Sequence, residues 1–229
     1  MKALPKLREK AITLRKQGMT YSEILKLVPV AQSSISLWCR NIPLTAEQTN
    51  HIQQARTEGI KRGATSRHNQ ATKLKQDIIS SSASEILTIS NRDLWLIGIA
   101  LYWAEGSKQG PKTISQGIKF TNSDSKMIKV FDLWLTRIMK INPDIIDYEI
   151  YLHESMKGEI SRVINFWSRI LDKPTAKFDR IYLKKNIVTK SYPKSDYKGV
   201  VRIVVKKSTN LNRQISGWQL GIVHSCGIV

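Results

Sequence analysis

The residue best placed to do chemistry is an acid at the end of an apolar helix. Residues 91–108 read NRDLWLIGIALYWAEGSK, and Glu105 closes a run that is otherwise almost wholly apolar. The helix macrodipole already places negative charge at a C-terminus, so a carboxylate there is disfavoured unless a cation neutralises it. The pattern therefore predicts that Glu105 meets a cation.

The segment LIGIALYWAEGS resembles the LAGLIDADG motif of homing endonucleases, aligned on its closing acid and glycine. The resemblance implies that Glu105 is a ligand of a divalent metal, Mg²⁺ if the domain is catalytic, and that Gly106 makes a tight exit into the first strand. It also implies close helix packing at Gly98 or Ala100. One motif per chain means that a nuclease has to form a homodimer to assemble two acids. Trp103 stands where the family often has its other acid.

Basic side chains beside a scissile phosphate would assist metal-dependent hydrolysis. The segments DRIYLKKN and GVVRIVVKKS predict two late strands that carry such groups. The candidates are Lys184, Lys185, Lys206 and Lys207, and Lys184 and Lys206 complete the catalytic set with Glu105. Strand alternation puts Lys184 and Lys185 on opposite faces, so only one of these two can point to DNA.

The elements that position these residues are predicted in the order α-β-α-β-α-β-β-α, with a short further strand possible near 107–114. Ser123 or Asp124 is expected to cap the second helix, and Tyr148, Ile150 and Leu152 to share one face of a strand. The fold class is therefore α+β. The resemblance implies that residues 91–229 form a LAGLIDADG-like α/β domain with a saddle-shaped antiparallel sheet, although the family's usual order lacks one of these helices.

At the other end of the chain, residues 7–42 have the pattern of three short helices. Thr20 and Glu23 fit a capping box that opens the second helix, and Pro29 ends it. Ser33 or Ser34 is expected to cap the third helix. Its inward side chains would be Ile35 and Trp38.

The segment GMTYSEILKLVPVAQSSISLWCRNI resembles the helix-turn-helix of resolvase-type and simple regulator proteins. This resemblance implies a DNA-binding domain over 1–44 whose third helix lies in the major groove. Glutamine pairs with adenine and arginine with guanine, while serine is permissive. The alternative is a trihelical unit that only packs or dimerises. Carried over by position, the residues that contact bases are Gln32, Ser33, Ser36 and Arg40.

Positive charge is concentrated at the two ends of the chain. The formal net charge is +19; residues 1–75 carry 14 Lys or Arg against 4 acids, and residues 180–229 carry 10 against one. The middle of the chain, 76–179, balances 13 of each sign. A polyanion is the natural partner, because each neutralised phosphate releases condensed counterions. A passive basic surface and acidic lipid headgroups are the alternatives.

Residues 45–90 are predicted to be a basic helical linker. Thr45 and Gln48 fit a capping box, and the absence of a wide apolar stripe indicates a solvated helix, or helices broken near Gly59 and Gly63. Such a helix either follows DNA phosphates or is only a linker, and the two alternatives stay open. The bases expected to contact phosphates are Lys61, Arg62, Arg67 and Lys73.

No apolar run approaches the roughly 20 residues that span a bilayer, so we expect no membrane partner. With only Cys39 and Cys226, we expect neither a disulfide framework nor a cysteine-rich zinc site. The expected location is the cytoplasm, in association with the nucleoid. The whole chain also resembles a group of uncharacterised bacterial helix-turn-helix proteins that share the LYWAEGSK, NSD and LHES segments, a resemblance that names no activity.

Three functions are compatible with these patterns. The first is a sequence-specific protein that binds double-stranded DNA, such as a transcription regulator whose LAGLIDADG-like domain is a binding platform. The second is a homodimeric, metal-dependent homing-type endonuclease. The third, a recombinase accessory factor, has only the resolvase-like segment in its favour. The lost partner acid and the bulky Tyr102 and Trp103 favour binding over cleavage.

Overall fold

The structure, a computed structural model, describes residues 3–185 and 196–228. Within these ranges it has eight α-helices and a four-stranded sheet, so the α+β class is confirmed. The chain divides into two units, Met1–Leu87 and Thr88–Val229. None of the described helices combines the length and the apolar character needed to cross a membrane.

Unit 1 begins with three helices, α1 (Ala3–Lys16), α2 (Tyr21–Leu27) and α3 (Gln32–Cys39). The Cys39 thiol donates to the Ala11 carbonyl at 3.7 Å, and burial raises the pKa of this thiol. All three helices contribute apolar side chains to one small core. Its fully buried members are Ala11, Ile24, Val28, Ile35 and Cys39.

The predicted capping box at α2 is confirmed, whereas the predicted cap of α3 is wrong. The Thr20 hydroxyl accepts from the Glu23 amide, and the Glu23 carboxylate accepts from the Thr20 amide at 2.7 Å. These bonds lower the pKa of Glu23. Helix α3 starts after Ala31, which has no capping side chain, so Ser33 and Ser34 fall inside the first turn.

Helix α4 (Ala46–Glu85) is a single helix of 40 residues with no buried residue. The capping box of Thr45 and Gln48 is confirmed, and the Gln48 amide also donates to the Lys16 carbonyl at the end of α1. Of the two predicted alternatives, the single solvated helix is confirmed, and the breaks near Gly59 and Gly63 do not form. Each glycine costs only about 1 kcal/mol relative to alanine, and the good helix formers around them offset that cost.

Unit 2 has the predicted order of elements. The possible strand near 107–114 is not formed there; only Gly106 makes an isolated bridge, with Phe120. Asp124, one of the two candidate caps, accepts from the amides of Lys126 and Met127. The elements are α5 (Asn91–Glu105), β1 (Lys119–Asn122), α6 (Ser125–Leu133), β2 (Ile146–His153), α7 (Ile160–Leu171), β3 (Arg180–Lys184), β4 (Val200–Val205) and α8 (Thr209–Ser225), with a π-helical turn (Trp134–Ile138) after α6.

The sheet has the strand order β1-β4-β2-β3 and is mixed, so the predicted antiparallel sheet is wrong in one pair. Strand β4 pairs antiparallel with β1 and with β2, whereas β2 and β3 are parallel. Parallel neighbours require a long crossover connection, and α7 lies in that connection. Helix α7 therefore lies in the crossover between the two parallel strands of the mixed sheet.

One face of the sheet forms the core of unit 2. Burial alternates along β2, so that Tyr148, Ile150 and Leu152 point into the core as predicted. The Tyr148 hydroxyl donates to the buried Asp132 carboxylate of α6, and the Lys173 ammonium lies 3.6 Å from the other carboxylate oxygen. Burial raises the pKa of Tyr148. This polar cluster ties β2 to α6 and to the loop that follows α7.

Helix α5 packs on this core through Gly98. A Cβ atom at Gly98 would lie 2.1 Å from the indole ring of the fully buried Trp134, so only glycine fits there. The Trp134 indole donates to the Trp95 carbonyl on the same helix. The LAGLIDADG-like segment suggested Gly98 as a contact for another helix. In the structure, Gly98 instead makes room for Trp134 within unit 2.

We expect Gly98→Ala to lower the free energy of unfolding of unit 2 by about 1–3 kcal/mol, because the added methyl overpacks the Trp134 site. Five of the six tryptophans lie in unit 2, so urea unfolding followed by tryptophan fluorescence measures this change. Gly217→Ala in α8 is the matched control, since its new methyl meets open space and should stabilise the helix by about 0.5–1 kcal/mol. Equal effects of the two substitutions would contradict the packing argument.

Candidate nucleic-acid interface

The predicted base-contacting residues share one side of α3. Ile35 and Cys39 face the core of unit 1, and Gln32, Ser33 and Arg40 are exposed, with Ser36 half-buried. Positions four residues apart lie above one another on a helix, which aligns Gln32, Ser36 and Arg40. The described residues give Arg40 no ion pair. This side of α3 therefore offers an amide, two hydroxyls and a guanidinium to one ligand. Leu37, 59% exposed, lies beside them.

Trp38, the other residue predicted to point inward, is half-buried rather than fully buried. It packs against the core of unit 1 and also lines a shallow hollow with residues of α1, including Arg8 and Ile12. The indole therefore joins α3 to α1. Its position supports a packing role and leaves the exposed side of α3 to the polar residues.

The four predicted phosphate contacts of α4 do not lie on one side of the helix. Consecutive residues are rotated by about 100°, so Arg62 and Lys73, eleven residues apart, lie close in angle, whereas Lys61 and Arg67 point elsewhere. All four side chains are exposed, and Arg62 makes a solvent-exposed ion pair with Glu58 at 3.7 Å. One straight polyanion can therefore contact only part of this set at a time.

Glu105 is exposed at the last residue of α5. The described residues give its carboxylate no hydrogen bond and no ion pair, so the cation that the sequence predicts is not a side chain of this part of the chain. Gly106 follows at once and is closed in by the Tyr102 ring, whose hydroxyl donates to the Ser107 carbonyl. Burial raises the pKa of Tyr102 to about 12. The exit from α5 is therefore tight, but it does not lead directly into the first strand as the motif implies, because β1 begins only at Lys119.

Metal binding by Glu105 stays a prediction. The described residues contain no group of three or more His, Cys, Asp or Glu side chains that could hold a metal ion. Magnesium is commonly held by one or two carboxylates together with waters and substrate phosphates. An exposed, unengaged carboxylate such as that of Glu105 fits this role as one ligand only, and the remaining ligands would have to come from outside the chain.

The structure does not bring Lys184 and Lys206 together with Glu105. Lys184 pairs with His153 at one end of β2, whereas Lys206 follows β4 at the other end, about 26 Å away along the strand. The Lys206 ammonium lies 2.9 Å from the Asp147 carboxylate. Glu105 precedes the bridge to β1, the edge strand opposite β3. One chain therefore cannot place these three groups on one phosphate.

Sequence reasoning missed a network on the open face of the sheet, the face turned away from the core. Asp147 and Glu149 of β2 are nearly buried by cations of neighbouring strands. Arg180 of β3 lies 2.9 Å from Asp147, and Arg202 of β4 lies 3.5 Å from Glu149. Alternation along β2 could have indicated which residues share this face, but their partners depend on the strand register.

Tyr151 lies at the centre of this open face. Its hydroxyl donates to Glu149 at 2.8 Å and accepts from Arg202 at 2.5 Å, while Arg202 also donates to the Thr121 hydroxyl of β1. Burial, followed by the hydrogen bond to Glu149, raises the pKa of Tyr151 to about 12. The side chains of three adjacent strands are thus connected across this face.

Comparison of the chain with protein-family models, with curated proteins and with solved structures found no match. The exposed side of α3, the unengaged Glu105 and the open face of the sheet therefore have to indicate function by their own chemistry. The exposed side of α3 and the open face of the sheet present cationic and hydrogen-bonding groups to solvent. Glu105 presents a carboxylate.

Proposed function

We propose that the protein binds double-stranded DNA in a sequence-specific manner, as a transcription regulator would, with α1–α3 acting as a helix-turn-helix. The observation that carries this proposal is the exposed side of α3, on which Gln32, Ser36 and Arg40 are aligned at intervals of four residues, beside the side that buries Ile35 and Cys39. An α-helix fits the major groove, where these side-chain types distinguish base pairs.

Electrostatics support the same partner. Unit 1 has a net positive charge, because its Lys and Arg residues outnumber its acids. Lys16, Lys26 and Arg40 are exposed on the three short helices, and Lys61 and Lys73 extend the positive surface along α4. Such groups would hold the phosphate backbone and position α3, while base contacts would supply specificity.

Arg40→Ala should weaken binding to the preferred site by roughly tenfold or more, because a bidentate arginine–guanine contact contributes about 1–3 kcal/mol. Binding to random duplexes should change little. The site is first selected from randomised duplexes, and affinities are then measured by fluorescence anisotropy at a fixed salt concentration. Lys26→Ala is the matched control, expected to reduce both affinities by a similar factor. A uniform loss with Arg40→Ala would show that Arg40 contacts phosphate only.

We further propose a homodimer that forms through the exposed side of α5. Leu94, Gly98 and Tyr102 face the core, whereas Ala100, Trp103 and Ala104 are exposed on the other side of the helix. Two alanines beside a 39%-exposed tryptophan form an apolar surface on which a second copy of α5 can pack closely. A two-fold arrangement would present two α3 helices to two half-sites.

Trp103→Glu should raise the dissociation constant of this dimer at least tenfold, because it places two like charges in the contact. Sedimentation velocity over a range of concentrations measures the change. Leu220→Glu, at a 55%-exposed leucine of α8, is the control that introduces the same charge elsewhere. A wild-type protein that sediments as a monomer throughout, or equal effects of both variants, would refute this dimer.

A second candidate function, metal-dependent cleavage of DNA, is favoured by one observation: the exposed Glu105 carboxylate has no partner among the described residues. In a homodimer, two such carboxylates would each supply one ligand to Mg²⁺, which would polarise a phosphate. Glu105→Gln keeps the shape of the side chain and removes its charge. On this second candidate function, wild type, but not this variant, nicks duplex libraries with Mg²⁺ or Mn²⁺. Intact DNA binding without any nicking by wild type would leave binding as the function.

A further inference from the structure

The open face of the sheet carries a column of stacked planar groups. The Arg202 guanidinium lies 4.6 Å from the centre of the Tyr151 ring, and the Tyr151 and Tyr182 rings are stacked with their centres 4.8 Å apart and an angle of 16° between their planes. Because β2 lies between β4 and β3, Arg202 and Tyr182 are on opposite sides of Tyr151. The column therefore ends at Tyr182.

Hydrogen bonds, an ion pair and the strand register hold this column in place. Arg202 is fixed by the Thr121 hydroxyl and the Glu149 carboxylate, and the Tyr151 hydroxyl is fixed by Glu149 and Arg202. Tyr182 faces Tyr151 directly in the parallel register of β2 and β3. The outermost ring is thus oriented by the strands beneath it, with little freedom left to lose on binding.

Tyr182 leaves one face of its ring available. It is 44% exposed and belongs to β3, the edge strand, so the described sheet has no further strand beyond it. A cross-strand pair of tyrosines already stabilises the sheet, but that role uses only the inner face of Tyr182. The outer face is an oriented aromatic surface in contact with solvent.

The charges around this ring suit an anion. Asp147 and Glu149 are matched by Arg180, Arg202 and Lys206, so the acids of this face are already neutralised. Lys184 is two residues from Tyr182 on the same strand, so both side chains point to the same face. The described residues give Lys184 no ion pair; its ammonium lies 5.1 Å from the Tyr151 ring. The Tyr182 ring and the Lys184 ammonium thus both lie next to the Tyr151 ring.

We infer that the outer face of Tyr182 stacks on an unpaired base of single-stranded nucleic acid, with Lys184 contacting the adjacent phosphate. In a duplex both faces of an internal base are covered by its neighbours, so a stacking side chain selects a base that is free on one face. Stacking of bases on aromatic side chains combined with basic groups that follow the backbone is the usual means of binding single strands. This partner differs from the duplex proposed for α3, and the inference does not depend on that proposal.

The test uses the full chain and a short oligothymidylate that carries one 2-aminopurine, whose fluorescence is quenched when it stacks on an aromatic ring. Wild type should quench the probe and bind it at low salt. Tyr182→Ala should lower the affinity roughly tenfold, as expected for the loss of one stacked base, while Tyr182→Phe, which keeps the ring, should stay within about twofold of wild type. An oligouridylate probe of equal length distinguishes RNA from DNA as the preferred source.

Two further variants separate the contribution of the phosphate contact from that of aromatic stacking. Lys184→Gln should lower the slope of log affinity against log salt by about 0.7, the value for one phosphate contact with a single strand. Tyr182→Leu keeps an apolar side chain but removes the aromatic ring, and it should bind as weakly as Tyr182→Ala. Urea unfolding of each variant, followed by tryptophan fluorescence, ensures that unit 2 remains folded.

The inference fails if Tyr182→Ala or Tyr182→Leu binds single strands as tightly as wild type, or if Tyr182→Phe loses as much as Tyr182→Ala. It also fails if Tyr182→Ala weakens duplex binding and single-strand binding by the same factor. Arg40→Ala should leave single-strand binding unchanged, so a failure of the duplex proposal is seen in a different variant from a failure of this one.

Discussion

The two carboxylates on the open face of β2 are the constraint on which the sheet of unit 2 depends. Asp147 and Glu149 are largely removed from water, and a charge in that position is costly unless it is paired. Arg180 from β3 and Arg202 from β4 supply the pairing, so both neighbours of β2 are tied to it by side chains as well as by backbone hydrogen bonds. The parallel edge strand β3 therefore has a second reason to keep its register.

The same ion pairs determine what the open face presents to solvent. Since the acids are engaged laterally, the groups that extend beyond them are the ring of Tyr182 and the ammonium of Lys184. Unit 1 has a comparable division on α3, where apolar residues face inward and polar residues face outward. In each unit, one set of side chains is engaged within the protein and a neighbouring set is left in contact with solvent. The chemistry of the solvent-facing groups supports the proposals.

The order of elements in unit 2 and the three predicted capping positions at Thr20, Thr45 and Asp124 could be predicted because they depend on local patterns of polarity and on side-chain hydrogen bonds within one turn. The errors came from interactions that are distant in sequence. The parallel pairing of β3 depends on a crossover, and the use of Gly98 by Trp134 depends on tertiary packing. The two lysines predicted beside Glu105 were grouped by residue type, while the register places them at opposite ends of β2.

The contrast between the two thiols has a practical consequence for following the motions of this protein. Cys39 is enclosed in the core of unit 1, and Cys226 is exposed just after α8 in unit 2. A thiol-specific reagent therefore reaches Cys226 directly, whereas Cys39 reacts only when α3 separates from α1. The rate of the slow labelling phase accordingly reports the local opening of the three-helix core. No introduced cysteine or other probe is needed for this measurement.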